Sequence, residues 1–138
     1  MAKALNNNNL SKADIVSFYS YVCLYEKVIK LCFGQFDIDS PDVVRFCQTN
    51  DIAFGKRPKR TYRFVFEAYK PKGKPENDKA HHLLRHIRNS FCHSLISKQG
   101  RCFYIKDFNR AGNLSMEAII REDLIWSLID LLIKTKKQ

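Results

Sequence analysis

The sequence predicts a mainly α fold with a β-hairpin inserted before the last helix. Three observations lead to it. Apolar residues recur at i, i+3 and i+4 in separate stretches, the spacing of helices with one buried side. Ser11-Lys12-Ala13-Asp14 and Ser40-Pro41-Asp42 carry the cap, proline and acid chemistry of helix starts. Residues 101–119 break the helical pattern with two β-branched and aromatic runs around a polar turn. The 138 residues suit one domain, 1–138, and no internal repeat or linker divides them.

Each element has its own signal. Residues 1–10, with the run Asn6 to Asn9, read as a flexible polar end. Ser11 caps a first helix that carries Ile15, Phe18, Tyr19, Val22, Tyr25, Glu26 and Ile29 and stops at Gly34, after about Phe33. Its aromatic stripe could stack on bases, but such residues belong first to a core. Ser40 and Pro41 open a short second helix, with Val43, Val44, Phe46 and Cys47 as its apolar side, fading near Asn50-Asp51. Residues 55–60 are a basic loop. Residues 61–69 fit a strand or a helix equally well. A second basic loop, residues 70–75, holds two prolines and a glycine. Asn77 or Asp78 then caps a helix that runs to the stop signal Lys98-Gln99-Gly100. Strands over 101–108 and 114–119 flank a turn at 109–113. Arg121-Glu122-Asp123 opens the last helix, with Leu124, Ile125, Leu128, Leu131 and Leu132 buried and Lys134, Lys136 and Lys137 at its negative end.

The stretch His81 to Ile96 holds all four histidines. On a helix, Ala80, Leu83, Leu84, Ile87, Phe91 and Leu95 gather on one side. His81, His82, Arg85, His86, Arg88, Asn89, Cys92 and His93 gather on the other. That second side carries rings and guanidinium groups where a merely solvated face would carry Lys and Glu. Asn89 and His93 are i and i+4, so their side chains meet, and the long stem of Arg88 can reach toward them. The three can therefore converge on one small anion.

Arg88-Asn89-Ser90-Phe91-Cys92-His93 resembles the Arg-Asn-x-x-x-His form of the motif that marks the HEPN superfamily. Residues 84–90 and Ile105-Lys106-Asp107-Phe108-Asn109 resemble its standalone prokaryotic members, and the likeness spans Asp78 to Asp130. It implies an antiparallel bundle of four to five helices, with residues 61–69 as a helix, and the hairpin before the last helix. It also implies a metal-independent endoribonuclease in which the ribose 2′-OH attacks the adjacent phosphate. His93 would move the proton, suited by an ordinary pKa near 6.5. Arg88 would hold the phosphate, and Asn89 would orient His93 or donate to the phosphate. The family's sites combine motifs from two domains, so a homodimer is implied, with a toxin–antitoxin or defence role. Cys92 and Ser94 stand where many relatives have Ala and Gly. The alternative the resemblance offers is a non-catalytic module that binds RNA or nucleotide, or acts as the antitoxin partner of a nucleotidyltransferase.

Charge agrees with an RNA partner. Lys+Arg 24 against Asp+Glu 14 gives +10, the balance of a chain that meets a polyanion: RNA, DNA or an acidic membrane surface. Lys56, Arg57, Lys59 and Arg60 in one loop and Lys70, Lys72 and Lys74 in the other supply RNA-binding charge, with Arg85, His86 and His82 beside the motif. His82 and His86 have the i, i+4 spacing of zinc helices, but the further ligands a zinc site needs are missing. The reading calls for no metal and no cofactor. Cys92 in a helix reads as a small core residue before a nucleophile. The five cysteines are odd in number and lack Cys-x-x-Cys spacing, which suits a reducing cytoplasm. No apolar run has transmembrane length, and the N-terminus lacks the core of a signal peptide.

Overall fold

The computed structural model describes residues 9–67 and 78–136. Over them the chain is an α/β fold, which overturns the mainly α, HEPN-like helical bundle. The described residues form α1 (Lys12–Lys27), α2 (Pro41–Thr49), β1 (Ile52–Gly55), β2 (Tyr62–Phe66), α3 (Lys79–Cys92), β3 (Ile96–Gln99), β4 (Cys102–Phe108), β5 (Leu114–Arg121) and α4 (Glu122–Lys134). The strands make one sheet in the order β1-β2-β5-β4-β3, parallel between β1 and β2 and antiparallel elsewhere.

Period-two burial explains the sheet. Phe64 and Phe66 on β2, Phe103, Ile105 and Asp107 on β4, and Met116, Ala118 and Ile120 on β5 are all buried, and they share one face. The alternating residues Arg63, Val65, Tyr104, Lys106, Glu117 and Ile119 line a shallow groove of about 280 Å³ on the other face. Residues 61–69, which the resemblance assigns to a helix, contain β2. Tyr62, Phe64 and Phe66 take the hydrophobic positions of a strand, and the helix expectation is corrected. β1 has one buried residue, Ile52, and only four residues in all, too short a signal to read in advance.

Helix starts follow the sequence closely. Ser11 and Asp14 form a reciprocal capping box, each side chain accepting the other's backbone N–H at 3.0 and 3.1 Å. Ser40 caps α2 with Pro41 in its first turn. Asp78 caps α3 by accepting the His81 N–H at 2.9 Å, and its other oxygen accepts the Gly34 N–H. Helix ends do not follow. α1 stops at Lys27, and a 3₁₀ turn, Ile29–Leu31, continues toward Gly34, which turns at φ +80°. α3 was expected to reach Lys98 but stops at Cys92, because Ser94 takes a left-handed φ of +58°. The N–H of Leu95 bonds the Ser90 carbonyl and that of Ser94 bonds the Phe91 carbonyl, a Schellman closure. Leu95, expected on the helix's apolar side, lies past that closure. The polar start through residue 8, and the second basic loop with Lys70, Lys72 and Lys74, lie outside the described residues.

The core sits between the sheet and the helices. Phe18 of α1 is fully buried, stacked on Phe91 at 5.4 Å and meeting Phe103 and Trp126 edge-on at 5.0 and 4.8 Å. One ring therefore ties α1, α3, β4 and α4 together, and its burial stabilises by roughly 1.5–3 kcal/mol. On α4, Ile129 is buried with Leu124, Ile125, Leu128 and Leu132, while Leu131 is half-buried. At the edge, Lys98 of β3 bridges Asp14 at 2.9 Å and Glu122 at 2.8 Å, joining the starts of α1 and α4.

Candidate functional site

α3 packs against α1 on one side and β4 on the other. That explains why its polar side is not a solvent face. His81, His82 and His86 are 7%, 2% and 5% exposed, and Ser90 is fully buried. A buried polar helix needs partners for its groups, and those partners divide the histidines into different settings. His81 turns to α1, with Nε2 3.5 Å from the Tyr25 hydroxyl and its ring against Phe33. His82 Nδ1 lies 3.0 Å from an Arg85 Nη2. His86 Nδ1 lies 2.8 Å from Asp107 Oδ2 on β4. His93 is exposed at the C-cap of α3. Burial lowers the pKa of both His81 and His86; for His86 the Asp107 hydrogen bond opposes it.

A continuous set of hydrogen bonds runs across the helix. Arg88 donates to Glu26 Oε1 of α1 from Nε at 2.9 Å and Nη2 at 2.6 Å, and from Nη1 to Asn89 Oδ1 at 2.8 Å. Asn89 Nδ2 lies 3.5 Å from the Asp107 Oδ2 that also meets His86. Because a guanidinium only donates, it fixes the Asn89 amide with oxygen toward Arg88 and NH₂ toward Asp107. Asp107 Oδ2 therefore accepts from both neighbours. Facing a carboxylate oxygen that only accepts, a neutral His86 ring carries its proton on Nδ1 and its lone pair on Nε2.

These residues border a cleft of about 540 Å³, lined by Arg85, His86, Asn89, His93, Asp107 and Arg110, with others. His86, Asn89 and His93 reach it from one stripe of α3, since steps of three and four residues keep one helix face. Asp107 reaches it from β4, beside an irregularity: the register steps from Asp107↔Met116 to Phe108↔Leu114 and leaves Ser115 as the extra residue. Bulges commonly re-aim side chains beside functional sites.

The expected convergence of Arg88, Asn89 and His93 is therefore partial. Asn89 and His93 line the cleft. Arg88 is not among its lining residues and points to Glu26. Of the expected RNA-binding residues, Arg85 and His86 line it too, while His82 is behind them and buried. Lys56, Arg57, Lys59 and Arg60 are exposed, with Lys56 3.4 Å from Glu67 and Arg60 3.4 Å from Asp51. Glu67 borders both the cleft and a groove that holds Lys56 and Arg57, so this loop is the cleft's neighbour.

Asp107, Glu26 and Arg110 had no assigned role in the sequence reading. Asp107 was findable: it is the one acid at an inward position of the run Phe103, Ile105, Asp107. Glu26 was not, because only tertiary packing brings it to Arg88. Among the described residues no three His, Cys, Asp or Glu side chains gather with metal-binding geometry, and the rings of His82 and His86 stack 6.4 Å apart. No described helix is long and apolar enough to cross a membrane. No known protein family, curated protein or solved structure matches the chain.

Proposed function

We propose that the chain is a metal-independent endoribonuclease. The observation that supports the reading is the cleft: an exposed imidazole, His93, stands at a helix end beside Asn89, Arg85 and Arg110. Guanidinium and amide donors suit a phosphodiester, and an imidazole suits proton transfer near neutral pH. In the reaction, the 2′-oxygen loses its proton and bonds to phosphorus, and the bond from phosphorus to the 5′-oxygen breaks. The leaving oxygen takes a proton, giving a cyclic phosphate and a 5′-hydroxyl. Arg88 orients Asn89 and meets the phosphate only by exchanging Glu26 for it. The likeness of Arg88 to His93 to the HEPN motif supports the same chemistry, and the net charge of +10 supports an RNA partner. The free cysteines fit a reducing compartment such as the cytoplasm. Two copies pair about a two-fold axis in this reading, and light scattering at twice the chain mass would support it.

The test is incubation of the purified chain with assorted RNAs in excess EDTA. Cleavage is expected, and His93→Ala should reduce it by about 10²–10⁴-fold. No cleavage of any RNA would overturn the enzyme reading. One observation favours a second reading, a non-catalytic module that binds RNA or a nucleotidyltransferase partner: Arg88 is already occupied by Glu26. Binding without cleavage in the same assay would select it.

A further inference from the structure

We propose that His86 is a second catalytic imidazole, the general base of this reaction, and that Asp107 is its positioning residue. The proposal rests on the ribonuclease reading and deepens it. Transesterification of this kind needs one group to take the 2′-OH proton and another to protonate the leaving 5′-oxygen. His86 and His93 are seven residues apart, two helical turns, so they share one side of α3 and border the same cleft. Their Cα atoms are about 10 Å apart along the axis, and rings leaning toward each other can bracket a phosphodiester. His86 is the one fitted for the base. A carboxylate oxygen only accepts, so the 2.8 Å contact with Asp107 Oδ2 suits a ring with its proton on Nδ1 and leaves Nε2 as the acceptor. Burial lowers its pKa against the pull of Asp107, which favours the neutral ring a base needs. His93, exposed at the mouth, supplies the proton to the leaving oxygen. The proton gained at His86 Nε2 and the one lost from His93 return through solvent, so the cycle balances with no further reactant.

Asp107 plays the orienting part. It is buried, its Oδ2 holds His86, and its Oδ1 has no hydrogen-bond partner among the described residues. A carboxyl carried into a core beside a cleft costs free energy unless its group is used.

The test measures RNA cleavage against pH for wild type, Asp107→Asn, His86→Gln and His93→Ala, with far-UV dichroism of each. Asp107→Asn preserves shape but can donate to His86 Nδ1, moving the ring proton to Nε2. It should lower kcat by about 10²–10⁴-fold at unchanged KM, since a wrongly held tautomer removes the base and not the binding. His86→Gln should remove the acid limb of the wild-type pH profile, and His93→Ala the alkaline limb. Folded Asp107→Asn with wild-type kcat, or folded His86→Gln with an unaltered profile, overturns the base assignment and leaves the ribonuclease standing. Wild type that cleaves nothing at any pH overturns both. If His86→Gln does not fold, Asp107→Asn alone decides.

Discussion

Arg88 spends two N–H groups on one oxygen of Glu26, at 2.9 and 2.6 Å, and a third on Asn89 at 2.8 Å. The Glu26 carboxylate thus occupies the donors that a phosphate would use, and Lys30 holds its other oxygen at 2.8 Å. Those two cations, Lys30 first, keep the Glu26 carboxyl below its usual range. The pair is about a third exposed, at 32% and 36%, so water and ligands can reach it.

Glu26→Gln should release Arg88 toward the cleft. Tighter RNA binding is expected, with a salt slope steeper by about 0.7, the value for one more phosphate contact on a single strand. A titration at several salt concentrations reads both. An unchanged slope would mean Arg88 stays with Asn89 and never meets RNA.

Stability should fall as the medium is acidified through the histidine range. His81 and His86 are both held below the usual 6.5, so the unfolded chain binds protons more readily than the folded one. Their contribution is therefore present above 6.5 and is lost as pH drops from there toward the lowered values. Asp78 opposes the shift at His81 and Asp107 opposes it at His86, while Arg85 and His82 add to it at both. Urea midpoints at about pH 7.5 and 5.5 should differ in that direction, and His81→Phe should narrow the gap. Equal midpoints would argue that neither ring is neutral and buried in solution.

Ser94→Gly should stabilise the chain. The left-handed conformation costs an L-residue about 1–2 kcal/mol, and glycine returns roughly 0.5–1 kcal/mol of that as unfolded-state entropy. A net gain of about 0–1.5 kcal/mol follows by difference, measurable by denaturant titration. A destabilised Ser94→Gly would show that the serine side chain compensates for the strain.

Replacing Lys56, Arg57, Lys59 and Arg60 together with Ala should weaken RNA binding for all sequences alike and flatten its salt dependence. Each side chain that meets a phosphate accounts for about 0.7 of slope. The ion pairs these residues make with Glu67 and Asp51 are exposed and screened by water, so folding should hardly change. Unaltered affinity and slope would reduce the loop to solvated surface.

Local chemistry was the legible part of the sequence. Ser11 and Ser40 cap the helices they were expected to cap, and of the two candidates Asn77 and Asp78 it is Asp78 that caps α3, because a cap depends on residues within one turn. The hairpin of β4 and β5 was legible for the same reason. The sheet as a whole was not. Ile52, Phe64 and Ile96 mark strands of four or five residues, too short to show a clear period of two, and of the three only Phe64 pairs far along the chain, with Ala118. The end of α3 was missed because Ser94 does glycine's work there. At the site, the helical spacing brought out Asn89 and His93. The direction taken by Arg88 depends on Glu26, sixty-two residues earlier, and no spacing rule contains it.

Both edges of the sheet are four-residue strands, β1 and β3. A free edge is where a second chain can add itself by backbone pairing, and brevity is one way proteins blunt it. Here β1 ends at Gly55, with φ +137° and lysine and arginine next in line, while β3 carries Lys98 locked to two carboxylates. Strand-by-strand growth into fibres is disfavoured from either side. The edges therefore steer association of copies of this chain toward side-chain contacts rather than toward lengthening the sheet.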